Sequence, residues 1–187
     1  MAVATSLASR ARRITRDEYD RMVEAGLFRG ERLELWRGVI VPMSPQKSPH
    51  ASAVQALTRI LVTALTPGGR ATVRIQLPLA LSAESEPEPD VAVVPWGEYR
   101  DAHPSRALLV IEVADTSLDD DRGFKAEEYA AAGVPEYWVV DVRGKTIEVH
   151  ADVVDGRYTT RVVHASDARC APRAFADVSV AVREIVG

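Results

Sequence analysis

Asp90 and Glu112 are acids placed where acids are costly. Asp90 follows Pro89 at the mouth of the apolar stretch Val91-Ala92-Val93-Val94. Glu112 stands near the end of Leu108-Leu109-Val110-Ile111-Glu112-Val113, a run expected of a strand buried on both faces. A carboxylate so placed loses its water and needs a cation, either a paired arginine or lysine or a metal ion. Lys125 follows Glu112 by 13 residues. On a helix its one-turn neighbours are Asp121 and Tyr129, with Glu128 at i+3, so taken alone it is a surface lysine in helical ion pairs. It gains a chemical role only if its helix packs back over the end of the Glu112 strand. Phe124 and the Ala130-Ala131-Ala132 face permit that.

These three residue types suit phosphodiester hydrolysis. Mg2+ or Mn2+ takes oxygen ligands, commonly one or two carboxylates completed by waters and phosphate oxygens. Such a cation polarises the phosphoryl oxygen and activates a bound water, while a lysine stabilises the added charge or positions that water. Two outer candidates accompany them. Glu34 is the polar member of an alternating strand, and is either a metal or water ligand or an exposed strand residue. His50, in the first turn of a helix, is either a phosphate or ligand-orienting group or a surface histidine.

Other chemistries lack their motifs. There is no G-x-S-x-G elbow and no phosphate-binding glycine loop. Cys170 is the single cysteine, which rules out an internal disulfide and fits a reducing cytoplasm. His50, His103, His150 and His164 show no zinc-type spacing.

The elements that must position these groups follow from local pattern. Thr15-Arg16-Asp17-Glu18 has the form of a capping box opening a helix that Gly26 ends. Residues 32–43 alternate as a hairpin turning at Arg37-Gly38. Ser48 as N-cap and Pro49 at N1 start a helix with the stripe Val54, Leu57, Leu61, Leu65. Residues 72–81 predict one strand with Val73, Ile75, Leu77, Leu79 and Leu81 on one face, and Pro78 favours an edge or a bulge. Strands are expected at 90–94, 107–113, 136–142, 146–150 and 157–163, with one helix over 122–132 ending at Gly133. The span from Val110 to Val140 is long enough for a parallel crossover.

The chain has 187 residues, with 47% hydrophobic and 27% charged, as expected of one globular domain. No apolar run reaches the ~20 residues that span a bilayer. Residues 1–13 form an expected disordered lead-in rather than a signal peptide, and residues 14–187 the domain. The net charge of −4 argues against broad non-specific nucleic-acid binding. The basic cluster Arg10, Arg12, Arg13 and Arg16 is a solvated face or a phosphate contact.

Three blocks carry a resemblance. Glu34-Leu35-Trp36-Arg37-Gly38-Val39-Ile40, Met43-Ser44-Pro45 and His50 resemble the opening of Uma2 (DUF820) proteins. Pro89-Asp90-Val91-Ala92-Val93-Val94 resembles that family's central motif. Ile111-Glu112-Val113, Lys125, Tyr129 and the block Gly133-Val134-Pro135-Glu136-Tyr137-Trp138-Val139-Val140-Asp141 resemble its most specific part. The family is classed with PD-(D/E)XK nucleases and labelled as restriction endonucleases. The resemblance implies an α/β fold: a restriction-endonuclease-like core, a central mixed sheet flanked by helices, with extra hairpins. It implies Asp90 and Glu112 as the acidic pair, with Glu34 and His50 at further polar positions of the family. The usual lysine two residues after Glu112 is replaced by Ala114, and Lys125 takes its place from the helix. Ala114-Asp115-Thr116-Ser117 and Glu88 depart from the family pattern without removing a core ligand.

The expectation is a metal-dependent endodeoxyribonuclease using Mg2+ or Mn2+. Asp90, Glu112 and Glu34 hold the metal, Lys125 and His50 assist, DNA is the partner, and a homodimer suits two cuts in a duplex. The alternative is a catalytically inactive scaffold on the same fold that binds nucleic acid or a protein.

Overall fold

The computed structural model describes residues 11–187. Its centre is a six-stranded mixed sheet in the order β3-β4-β5-β6-β7-β8. These strands are β3 (Thr72–Ile75), β4 (Val91–Val94), β5 (Leu109–Ala114), β6 (Glu136–Asp141), β7 (Thr146–Val154) and β8 (Arg157–His164). Neighbours run antiparallel except β5 and β6, which are parallel in the register Val110↔Tyr137 to Ala114↔Asp141. The expected crossover therefore forms. All residues of β4, β5 and β6 are buried, as their near-continuous apolar runs require.

Each face of the sheet has its own core. Helix α2 (Ser48–Leu65) lays Ala53, Val54, Leu57, Leu61 and Leu65 on Val91, Val93, Leu109 and Ile111. The opposite face, with Ala92, Val110 and Val139, meets Tyr129 and Ala126 of helix α4 (Ala126–Ala131) and Trp36. Trp36 comes from a separate hairpin, β1 (Leu33–Trp36) and β2 (Val39–Pro42). Its turn, Arg37-Gly38, has φ +47° and +71°, the paired positive values that match the strand twist of a two-residue hairpin. Helix α1 (Arg16–Glu24) starts on the expected capping box, with Thr15 and Glu18 bonding reciprocally. The chain closes with short strands β9 (Arg169–Cys170) and β10 (Val180–Ala181) and helix α5 (Val182–Val186) against α2.

Three local expectations are corrected. The strand expected over 72–81 stops at Ile75, because Gln76 takes φ +51° and bonds its N–H to Pro89 and Asp90 carbonyls. The chain there crosses the sheet: Val73 and Ile75 join the α2 core, Leu79 and Leu81 join the other, and Leu77 between them is exposed. The helix expected over 122–132 is broken. A single turn, α3 (Leu118–Asp120), leads into a wide π turn (Asp121–Lys125) with Gly123 off helical geometry at φ −96°, ψ −111°, and α4 follows. Helix α2 takes Lys47 as N-cap, with no side-chain cap bond, one residue earlier than expected.

The expected lead-in lies mostly outside the described residues, as does Arg10. Arg12 pairs with Glu18, Arg13 donates to the Arg37 carbonyl, and Arg16 lies 3.7 Å from Glu86. The described part of this basic cluster is thus engaged with its own chain.

Candidate active site

Five segments deliver polar groups to one cleft of about 230 Å³, lined by Glu34, His50, Asp90, Glu112 and Lys125 among others. Glu34 arrives on β1, facing opposite to the fully buried Leu35. His50 arrives on the first turn of α2. Asp90 precedes β4, Glu112 sits in β5, and Lys125 ends the π turn. Each expected site residue is therefore brought to the same place.

Asp90 is held on both oxygens. Val113 donates its backbone N–H to Oδ2 at 2.8 Å. Oδ1 accepts from Gln76 Nε2 at 3.1 Å and lies 3.0 Å from His50 Nε2. The hydrogen bond to Asp90, reinforced by its charge, raises the His50 pKa above the ordinary imidazole value.

Glu112 is 5% exposed and receives Tyr129 OH on Oε1 at 2.8 Å. Lys125 Nζ lies 3.4 Å from the same oxygen and 2.9 Å from Asp121 Oδ1. Burial pushes the Glu112 carboxyl up to about 8; Asp90, Asp121 and Glu34 push the same way, and Lys125 opposes them. Glu34 is likewise raised, first by burial. Burial alone would lower Lys125, but Glu112, Asp121 and Glu34 outweigh it and keep the ammonium charged. The lysine is no surface residue: its side chain is 15% exposed, and Glu128, its expected i+3 neighbour, pairs with Arg37 instead.

Among the described residues no three His, Cys, Asp or Glu side chains converge tightly enough to cage an ion unaided. A magnesium-type site does not need that, since one or two carboxylates plus water suffice. The donor set fits such a cation. Four acids, Glu34, Asp90, Glu112 and Asp121, surround the cationic Lys125 and outnumber it even with His50 protonated, and no described residue hydrogen-bonds Glu112 Oε2. A divalent ion would supply positive charge at a carboxyl whose charged form burial disfavours.

Three supporting residues were not legible as such. Asp121 and Tyr129 flank Lys125 by one turn each, a spacing visible in the sequence but shared with ordinary surface helices. Gln76 carries no local signal at all, because its part depends on a backbone angle.

A comparison with curated proteins finds no match. Among solved structures, the chain resembles one described as a "putative nuclease belonging to DUF820" from Anabaena variabilis ATCC 29413. The TM-score is 0.70 at 16% identity, covering 92% of this chain and 97% of that one. At that identity the likeness establishes the fold: a mixed sheet flanked by helices, as the sequence blocks imply. The family model described as "Putative restriction endonuclease" matches residues 16–183, nearly the whole described chain, and the chain belongs to the Uma2 family.

Proposed function

We propose that this protein is a metal-dependent endodeoxyribonuclease whose single domain spans residues 14–187. One observation carries the reading: Asp90, Glu112 and Lys125, drawn from three separate elements, meet in one cleft. Asp90 and Glu112 would hold Mg2+ or Mn2+, with Glu34 completing or supporting the site. When bound, the cation polarises a phosphoryl oxygen and lowers the pKa of a coordinated water. Lys125 supplies a permanent positive charge beside Glu112 and an N–H donor for a phosphate oxygen or the attacking water. His50 and Gln76 orient Asp90, and Tyr129 orients Glu112. Arg32 and Lys47 line the same cleft and offer contacts to a phosphate backbone. A two-fold assembly would place two such clefts on one duplex.

The alternative, a non-catalytic scaffold on the nuclease fold, is favoured by two features. Both Asp90 oxygens are already satisfied by protein donors, and the net charge is −4. Plasmid cleavage in Mg2+ or Mn2+, with Asp90→Ala and Lys125→Ala as controls, separates the two. Nicking or linearisation lost in both variants is the expected result. Cleavage unaffected by Asp90→Ala sinks the site, and no cleavage of DNA or RNA in any divalent metal favours the scaffold.

A further inference from the structure

Lys125 stands between two carboxylates and lies nearer the one not assigned to the metal. The distances are 2.9 Å to Asp121 Oδ1 and 3.4 Å to Glu112 Oε1. Asp121 is 1% exposed and fixed from two further directions. Ser117 Oγ donates to its Oδ2 at 2.5 Å, and Tyr137 OH donates to its backbone oxygen at 2.9 Å. The lysine itself closes the π turn that Asp121 opens, so both ends of that turn are set by one irregular piece of backbone. Turns of this kind inside helices recur at functional sites.

Glu112 cannot both neutralise Lys125 and ligate a cation with full effect. In a weakly solvated cleft an ammonium draws strongly on the nearest carboxylate. A second, rigid carboxylate relieves the competition. We propose that Asp121 is a positioning residue that holds Lys125 out of a closed ion pair with Glu112, leaving Glu112 free to take a divalent cation. This inference rests on the reading of the cleft as a cation-dependent nuclease site. Asp121 itself touches neither cation nor substrate. Without its charge the ammonium moves onto Glu112, the nearest carboxylate left to it.

Mn2+ titration of the metal-free full-length protein, followed by the EPR signal of free Mn2+, tests this on the wild type, Asp121→Asn, Lys125→Met and the double variant. Asp121→Asn keeps the shape and the Ser117 contact, and it weakens Mn2+ binding about tenfold, the usual scale for a residue behind a metal ligand. The double variant regains wild-type Mn2+ affinity, because no ammonium remains to occupy Glu112, while cleavage stays lost. A double variant that binds no better than Asp121→Asn, or an Asp121→Asn that binds like wild type, overturns the inference. The Lys125 Nζ resonance, followed by 15N NMR without metal, gives a separate readout. It shifts in Asp121→Asn and shifts again when Glu112→Gln is added, because the ammonium then loses the carboxylate it had moved onto; an Asp121→Asn resonance unchanged from wild type overturns the inference. If wild type binds no Mn2+, the cation reading of the cleft fails, and this resonance alone then decides the placement of the lysine.

Discussion

Gln76 clasps Asp90 with both its backbone and its side chain, from a left-handed conformation. Its N–H reaches the Pro89 and Asp90 carbonyls at 3.1 and 3.3 Å, its Nε2 reaches Asp90 Oδ1 at 3.1 Å, and its φ is +51°. A side-chain-bearing residue pays about 1–2 kcal/mol to stand there. Glycine would remove that strain but has no amide to offer the aspartate. Gln76→Gly should therefore keep or raise the melting temperature and still lower the proposed metal-dependent cleavage by roughly tenfold or more, as loss of a ligand-orienting partner does. Calorimetry and plasmid cleavage on the same preparation check it. Falling stability with intact cleavage would make Gln76 a purely structural residue.

Glu86 provides a pH signature away from the cleft. Burial raises its carboxyl to about 7, Asp20 adds to the rise, and Arg16 at 3.7 Å opposes it. The folded value lies above the unfolded value of 4.5, so the unfolded chain releases this proton first. Glu86 thus costs stability progressively as pH rises from about 4.5 through about 7. Urea midpoints for wild type and Glu86→Gln should nearly coincide near pH 4 and separate in favour of Glu86→Gln by pH 8. Parallel curves across that window would refute the assignment.

Glu148 joins two arginines across the sheet. It is buried on β7, bonds Arg122 Nε at 2.9 Å through Oε1, and takes Arg161 Nη2 at 2.8 Å through Oε2. Burial raises its pKa, but the two guanidinium groups outweigh burial and leave it below the ordinary carboxylate value. Glu148→Ala should cost about 2 kcal/mol, less than a fully buried broken pair, because both guanidinium groups retain partial access to water. Because the folded pKa is depressed, Glu148 stabilises the fold above the unfolded value, and that contribution disappears as pH falls through the folded one. Urea unfolding near pH 7 and pH 3 should show a larger difference between wild type and variant at the first than at the second.

The sheet was largely legible because its physics is local. Strand β5 announces itself through an apolar run, β6 through Tyr137, Trp138, Val139 and Val140, and the α1 start through Thr15 and Glu18. Asp90 and Glu112 stood out because acids in such runs need an explanation. What failed depended on non-local partners. The alternation through residues 72–81 is intact as text, yet the chain changes faces at Gln76 to reach the Pro89 and Asp90 carbonyls. The helix pattern over 122–132 continues through Gly123, where the backbone leaves helical angles. Lys125 was drawn to the site by resemblance; its own spacing equally described a surface ion pair, and only the packing of α4 through Tyr129 onto β5 decides between them.

The parallel pairing of β5 with β6 has a kinetic meaning. Among the described strands it is the one join that no tight turn can make, so the chain must travel out and back before Val113 meets Val140. The segment that makes this journey is the one bearing Asp121, Lys125 and Tyr129. Closing the middle of the sheet and assembling the cleft are consequently the same long-range event, with its loop-closure entropy to overcome before any contact rewards it. A nascent chain released before Asp141 holds Asp90 and Glu112 but lacks a complete β6 to pin the crossover. A complete cleft would therefore arrive late in synthesis and all at once, rather than accumulating as the chain grows.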